Sequence, residues 1–244
     1  MRIKLIVEYD GTAYSGWQRQ KNAPSIQQTL EEAFYTLTGE DVTMQGAGRT
    51  DAGVHAMGQT VHFDTNCTIP AEKICFAINT KLPPDIRVRS SAEAAPRFHA
   101  TLDATGKHYR YVIYNAKHAN AILSRYSAHI YYALDEKKMQ DAANALIGEH
   151  DFIAYSSTGS DIKTTVRRIF DIKVTRQGDY VVIDVFGNGF LYNMVRIISG
   201  TLADIGTGRL PVSTAKEALE KKDRTLAGQT MPAKGLTMME VFYE

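Results

Sequence analysis

The sequence predicts an α+β protein with two halves, each built on a mostly antiparallel sheet flanked by helices. Strand-like and helical segments alternate along all 244 residues. The segment Gln177-Gly178-Asp179 lies between two strand-like runs and is typical of a hairpin turn, which disfavours a purely parallel sheet. The second half repeats the element order of the first without repeating its sequence. We therefore expect domains at residues 1–115 and 116–244, with a cleft between them as the place for an active site.

The first half is expected to begin with a strand at 2–9, where apolar and charged residues alternate. A loop that contains the only tryptophan, Trp17, separates this strand from a helix. Ser25 is the predicted N-cap, with Gln28 three residues later as in a capping box, and Gly39 ends the helix. The apolar stripe of this helix comprises Ile26, Leu30, Ala33, Phe34 and Leu37. Further strands are predicted at 42–45, 59–64, 86–90 and 107–115, and a second helix at 70–81.

The second half is expected to contain three helices and three strands. The helices are predicted at 135–147, 190–205 and 214–222, and the strands at 166–176, 180–186 and 236–243. Helical spacing of Met194, Ile197, Ile198 and Leu202 gives the middle helix an apolar face for the core.

Composition and charge exclude several classes of protein. The net charge is +1, from 28 Lys and Arg against 27 Asp and Glu, so a nucleic acid would have to be bound by local basic patches. The two cysteines cannot form a disulfide framework and favour a reducing compartment. The sequence has no apolar run long enough for a membrane helix, and its beginning resembles a strand rather than a signal peptide. We therefore expect a cytoplasmic protein without a membrane partner.

The segment 45–55 is the first candidate functional site. Its three glycines allow positive φ angles and a close approach of the backbone to a ligand. Arg49 and Asp51 lie between them, which favours a rigidly held carboxylate beside a cation that can grip a phosphate or a base. The alternative is an ordinary turn, in which Asp51 hydrogen-bonds its own backbone and Arg49 is solvated. The loop matches neither a P-loop nor a dinucleotide fingerprint.

The strand at 107–115 is the second candidate. Tyr109 and Tyr111 share one face of this strand, and Arg110 points to the other. A tyrosine that faces a cleft can stack on a base and exchange a proton. Tyrosines in strands are also common core residues, so both interpretations remain open.

The helix at 190–205 is the third candidate, because Arg196 lies close to its apolar stripe. A buried arginine needs an acidic partner, and Asp51 is a plausible one, since such a pair would keep the carboxylate ionised. Alternatively, Arg196 extends past the stripe into solvent.

Two stretches are locally basic despite the neutral total charge. They hold Arg87, Arg89, Arg97, Lys107 and Arg110 in the first stretch, and Lys163, Arg167, Arg168, Lys173 and Arg176 in the second. Interleaved aromatic residues suit an RNA backbone, although most charge runs are solvated faces.

A metal site is the weakest candidate. His55, His62, Cys67 and Cys75 fall within 21 residues, but their spacing matches neither Cys-x-x-Cys nor His-Glu-x-x-His. The Gly-x-Ser-x-Gly pattern of serine hydrolases is absent from the sequence. We therefore expect no metal.

Several ordered blocks of the sequence resemble the TruA family of tRNA pseudouridine synthases. The most specific block is Gly48-Arg-Thr-Asp-Ala-Gly-Val-His55. Further blocks lie at 8–11, 16–19, 107–115, 188–196, 222–227 and 233–236, so the similarity extends almost from end to end. Where this chain has Tyr192-Asn193, some relatives have two histidines, and no catalytic role is lost by that difference.

The resemblance implies roles for four residues. Asp51 corresponds to the family's catalytic aspartate, and Tyr109 to its active-site tyrosine. Arg49 corresponds to the arginine that helps to expose the target base. Arg196 corresponds to the basic residue that pairs with the aspartate.

The resemblance also implies two ferredoxin-like halves, a homodimer, and uridines 38 to 40 of the tRNA anticodon arm as targets. Converting uridine to pseudouridine involves neither redox chemistry nor hydrolysis, so no cofactor is expected. Two other classes of function remain open for the same sequence. One is a non-catalytic RNA-binding module that uses the tyrosines and basic patches. The other is a metal-dependent nucleotide hydrolase that uses the histidines and cysteines.

Overall fold

The structure, a computed structural model, describes residues 1–157 and 163–243. Its strands are β1 (Arg2–Tyr9), β2 (Gln45–Gly46), β3 (His55–Asp64), β4 (Ile86–Glu93), β5 (Gly106–Tyr114), β6 (Ala128–His129), β7 (Gly148–Asp151), β8 (Val166–Gln177), β9 (Tyr180–Gly187) and β10 (Leu236–Phe242). Its α-helices are α1 (Ile26–Thr38), α2 (Ile74–Asn79), α3 (Glu136–Asn144), α4 (Met194–Gly206) and α5 (Thr214–Lys221).

The chain forms two compact units. Unit 1 comprises Met1–Thr105 and Thr237–Glu244, and unit 2 comprises Gly106–Leu236. All of β10 except its first residue, Leu236, therefore belongs to unit 1. The expected division into domains 1–115 and 116–244, and the cleft between them, stay predictions.

Unit 1 has the β-α-β-β-α-β order of a ferredoxin-like fold. Strand β1 lies between β4 and β3, and β2 pairs with β3, all antiparallel. Strand β10 lies parallel to β3 through Thr237 and Met238. Alternate residues of β1 are buried, and Phe34 of α1 meets Phe63 of β3 edge-on with ring centroids 4.9 Å apart. Each large apolar side chain buried in this way contributes roughly 1.5–3 kcal/mol.

Unit 2 repeats the order β-α-β-β-α with β5, α3, β8, β9 and α4. Its antiparallel strands follow the order β5-β9-β8-β7, and β6 adds a short parallel pair to β5. The predicted hairpin is confirmed, because Gln177 pairs with Tyr180 across a two-residue turn. The predicted α+β class with mostly antiparallel sheets is confirmed as well.

Helix α1 begins and ends where the sequence predicts. The Ser25 hydroxyl accepts a hydrogen bond from the backbone N–H of Gln28 at 3.3 Å. At the other end Gly39 has a φ of 74°, and its N–H donates to the Tyr35 carbonyl at 2.7 Å. The Gln28 side chain donates to Glu32 instead of closing the predicted capping box.

Three predicted element boundaries are wrong for physical reasons. Helix α4 begins at Met194 instead of residue 190, because Asn193 has a φ of 61°, which a right-handed helix excludes. Strand β3 begins at His55, four residues before the predicted start. The strand is buried almost throughout, so no alternation of apolar and polar residues marks its beginning. The predicted strand 42–45 is reduced to β2, since the Met44 N–H is bound by the Glu31 carboxylate instead of a neighbouring strand.

The second predicted helix is divided into a 3-10 turn, Ala71–Lys73, and α2. In the part of the chain that the structure describes, none of the helices combines the length and hydropathy of a membrane span.

Candidate active site

The loop that carries Arg49 and Asp51 connects β2 to β3. It is folded on itself, because the Val54 N–H donates to the Asp51 carbonyl at 3.1 Å. It is also tied to its own sheet, since the Ala47 N–H donates to the Thr60 carbonyl at 2.7 Å. Asp51 is half-buried and Arg49 is exposed. The carboxylate is therefore presented from a loop with a defined backbone.

A second segment, residues 14–17, braces this loop through main-chain hydrogen bonds. The Trp17 N–H donates to the Thr50 carbonyl at 3.0 Å, and the Gly53 N–H donates to the Tyr14 carbonyl at 3.2 Å. Gly16 has a φ of 92°, and a Cβ there would lie 2.3 Å from the Thr50 oxygen. Only glycine permits this approach, so the two segments fix the backbone on either side of Asp51.

A buried side-chain contact supports the same loop from β1. The hydroxyls of Tyr9 and Thr50 share a hydrogen bond of 2.8 Å, and burial raises the pKa of Tyr9 to about 12. Tyr9 therefore stays a neutral phenol at physiological pH. The sequence blocks at 8–11 and 16–19 contain Tyr9, Gly16 and Trp17, but nothing in the sequence shows that these residues brace the Asp51 loop.

The two tyrosines of β5 have different environments although they share a face. Tyr109 is 7% exposed, and its ring meets Phe190 edge-on with centroids 5.2 Å apart. Tyr111 is fully buried, donates to the Pro232 carbonyl at 2.7 Å, and has a pKa that burial raises well above its usual range. Tyr111 is thus a core residue, as the structural alternative for the pair expects.

Arg196 lies in the first turn of α4 and is half-buried. Its Nε donates to the Met231 carbonyl and its Nη1 donates to the Asn193 amide oxygen, both at 2.7 Å. Asn193 is itself held by a 3.0 Å hydrogen bond from its Nδ2 to the Ser157 hydroxyl. These bonds anchor the guanidinium, so the interpretation of a side chain extended freely into solvent is wrong.

The candidate residues therefore fall into two groups. Arg49 and Asp51 share one loop of unit 1. Tyr109 and Arg196 belong to unit 2, where the charge of Arg196 also acts on the phenol of Tyr111. The expected pairing of Asp51 with Arg196 stays a prediction. Sequence reasoning did not select Asn193 as a site residue, although its position inside the block at 188–196 was a usable signal.

The histidines and cysteines of the weak metal candidate make local structural contacts. The Nδ1 atoms of His55 and His62 accept hydrogen bonds from the N–H groups of Gly11 and Ala100, both at 3.1 Å. Cys75 is buried in α2, and its thiol donates to the Glu72 carbonyl. Within residues 1–157 and 163–243, no three His, Cys, Asp or Glu side chains converge as metal ligands.

Comparison with known proteins identifies the family. The sequence model of a tRNA pseudouridine synthase family matches residues 5–103 and 142–244. The chain belongs to the TruA family of tRNA pseudouridine synthases. The tRNA pseudouridine synthase A of Acetivibrio thermocellus is 47% identical over 241 residues, 99% of each chain. That of Ruminiclostridium cellulolyticum is 47% identical over 243 residues, again 99% of each.

Two solved structures also match at low identity. A structure of an H/ACA RNP bound to a substrate RNA containing 2′-deoxyuridine gives a TM-score of 0.37 at 12% identity, over 97% of this chain and 45% of that one. A Cbf5-Nop10-Gar1 complex gives a TM-score of 0.37 at 13% identity, over 97% and 47%. Membership of the TruA family makes the chain an isomerase that acts on tRNA.

Proposed function

We propose that this synthase converts uridines at positions 38, 39 and/or 40 of the tRNA anticodon stem-loop to pseudouridine, with Asp51 as the catalytic carboxylate. The observation that carries the proposal is the bracing of the Asp51 loop. A carboxylate in an ordinary surface turn does not need main-chain bonds from Tyr14 and Trp17 on either side of it. A nucleophile or base that must meet one atom of a substrate does need them.

The reaction explains the residue types. The N1–C1′ glycosidic bond breaks, the uracil turns, and a C5–C1′ bond forms. The proton on C5 is lost and N1 gains one, so atoms and charge balance without an oxidant, water or a cofactor. Asp51 acts as a nucleophile at C1′ or C6, or removes a sugar proton to give a glycal intermediate. We propose that the enzyme works without a cofactor or metal.

Three other residues have proposed roles in exposing and holding the base. The target uridine must leave its stack, which costs a few kcal/mol. Arg49, exposed on the Asp51 loop, takes the vacated space and contacts phosphate. Tyr109 contacts the flipped base and assists in moving the C5 proton. Arg196 balances the charge of the catalytic carboxylate and keeps it ionised.

Two further parts of the proposal concern location, which rests on the composition of the sequence, and assembly, which rests on the family resemblance. We propose that the enzyme acts in the cytoplasm, where its tRNA substrate lies, and that it is a homodimer. Sedimentation of the purified protein measures the dimer directly, and a monomer at assay concentration contradicts that part.

The decisive experiment uses purified protein and an unmodified tRNA transcript, with a chelator present. Pseudouridine is mapped by chemical labelling and primer extension for wild type, Asp51→Ala and Asp51→Asn. Asp41→Ala is the matched control, because Asp41 is an exposed carboxylate of the same unit. We expect product at 38 to 40 from wild type and Asp41→Ala only.

Two outcomes contradict the proposal. Bound tRNA without product from any variant favours a non-catalytic RNA-binding module. Activity that the chelator abolishes favours metal-dependent chemistry.

A further inference from the structure

Lys107 and Arg167 lie on the same face of the unit 2 sheet as Tyr109. Lys107 is two residues before Tyr109 on β5 and pairs with Gly187 of β9, which pairs in turn with Ile169 of β8. Residues opposite each other in antiparallel strands point to one side, so Lys107 and Ile169 share a face. Arg167, two residues before Ile169, points to that face as well. Gly187 places no side chain between them.

Arg167 is an arginine with neutral partners. Its Nη1 donates to the carbonyls of Thr164 and Val166, at 2.9 and 2.7 Å. Within the described part of the chain, no carboxylate lies within ion-pair distance of Arg167, and its Nε and Nη2 atoms make no hydrogen bond.

Arg110 and Arg176, two other arginines of unit 2, have acidic partners. Arg110 binds Asp184 at 2.9 Å, and Arg176 binds Glu136 at 3.0 Å. These carboxylates neutralise the guanidinium groups locally. Arg167, like the half-buried Arg224, is bound by neutral oxygens instead, so its charge is left to act on its surroundings.

The charge of Arg167 acts on the ammonium group of Lys107. Burial and, next in size, the charge of Arg167 lower the pKa of Lys107 to about 8. Burial also lowers the pKa of Arg167. Lys107 and Arg167 therefore present two cationic groups on one face of the sheet, next to Tyr109.

We infer that Lys107 and Arg167 bind one phosphate of the RNA backbone, beside the nucleotide that Tyr109 contacts. The inference rests on the proposed function, since Tyr109 is taken to meet the target base. Lysine supplies a point charge and arginine supplies directed N–H donors, which together suit the two non-bridging oxygens of a phosphodiester. The pair positions the flipped nucleotide through its backbone and reads no base.

Binding of an anticodon stem-loop RNA tests the pair. The variants are Lys107→Gln, Arg167→Gln and Lys107→Arg, with Lys216→Gln as control, because Lys216 is an exposed residue of α5 beside Glu220. Each Gln variant is expected to raise Kd about tenfold and to reduce the slope of log Kd against log salt by about 1. KM rises while kcat at saturating RNA stays unchanged, because the phosphate contact is equally strong in ground and transition states. Lys107→Arg retains the affinity.

Replacing single phosphates locates the contact. Neutral methylphosphonate linkages are placed one at a time on both sides of the target uridine. Wild type and Lys216→Gln are expected to lose affinity at one linkage. Lys107→Gln is expected to lose less than wild type at that linkage, because only Arg167 still contacts the phosphate, and to respond normally elsewhere. Additive losses at every linkage overturn the inference, as does a Lys107→Gln variant with wild-type Kd and salt slope.

The pH dependence of binding is a second readout. The titratable and charged groups on the face of Lys107 include Arg167 from β8 and Tyr109 and Tyr111 from β5. Only the protonated lysine attracts phosphate, so wild-type Kd is expected to rise as the pH passes through about 8. Lys107→Arg is expected to remove this rise, because arginine stays charged. These binding measurements do not depend on product, so a wild type that binds RNA but makes no pseudouridine contradicts the proposed function alone.

Discussion

Asp51 and Arg196, the two residues that define the candidate chemistry, are supported in different ways. The Asp51 loop is held by main-chain hydrogen bonds from residues 14–17, at a distance that requires glycine at position 16. Arg196 is held by the side-chain amide of Asn193 and the carbonyl of Met231. Main-chain hydrogen bonds persist through most side-chain substitutions, but replacing the glycine that permits the close approach breaks them. A side-chain support can be removed by one substitution while the fold persists.

The largest effect is expected from Gly16→Ala. The φ of 92° and the 2.3 Å overlap with the Thr50 oxygen force the two segments apart, which costs more than about 2 kcal/mol and displaces Asp51. Gly39→Ala is the matched control, because Gly39 also has a positive φ but has nothing within 4 Å of a Cβ. We expect the control to cost about 1 kcal/mol without loss of turnover. Thermal unfolding and single-turnover rates measure both, and a fully active Gly16→Ala contradicts the bracing role.

Arg196→Met is expected to lower turnover strongly and tRNA affinity little. Loss of the guanidinium removes the charge that is proposed to keep the carboxylate ionised and in place. Steady-state kinetics that separate kcat from KM test this, with Arg209→Met as a control on an exposed arginine of the same unit. Normal turnover in a folded Arg196→Met variant would remove Arg196 from the mechanism.

Asn193→Gly is expected to have an intermediate effect. Glycine keeps the φ of 61° without strain but removes the amide that accepts from Arg196. We expect kcat to fall several-fold with little change in the free energy of unfolding. Asn193→Ala adds backbone strain of roughly 1 kcal/mol, so a loss of kcat confined to the alanine variant would show that the backbone, not the amide, matters.

Tyr111→Phe is expected to have the smallest effect on catalysis. The change leaves the Pro232 carbonyl without its phenol donor and costs about 1–2 kcal/mol of stability. Pro232 follows Met231, which binds Arg196, so kcat falls slightly at most. Tyr109→Phe, two residues away, is expected to lower turnover more than Tyr111→Phe does. If both variants behave alike in both assays, the distinction between core and site tyrosine is wrong.

Sequence patterns predicted the fold more completely than the site. Alternation in β1, the caps of α1 and the hairpin at Gln177 are local signals that the structure confirms. The first four residues of β3, before the predicted strand at 59–64, escaped because a strand buried on both faces has no alternation to detect. The start of α4 escaped because a left-handed asparagine leaves no periodic signature.

The candidate site shows the same limit. The spacing of glycines around Asp51 marks a special loop, and motif resemblance assigns the carboxylate a role. The contacts that hold the candidate residues in place join positions distant in sequence, such as Trp17 to Thr50 and Arg196 to Met231. No local pattern encodes such pairs. The shared face of Lys107 and Arg167 likewise emerges only from the pairing of strands.

The return of β10 to unit 1 affects the order in which the chain can fold during synthesis. Thr237 and Met238 pair with His55 and Ala56, and the Thr105 N–H donates to the Phe242 carbonyl. All of unit 2 lies between these partners in sequence. While the ribosome makes unit 2, the part of β3 next to the Asp51 loop has an open edge, which invites wrong pairing. Unit 1 is therefore the first to be synthesised and the last to be completed.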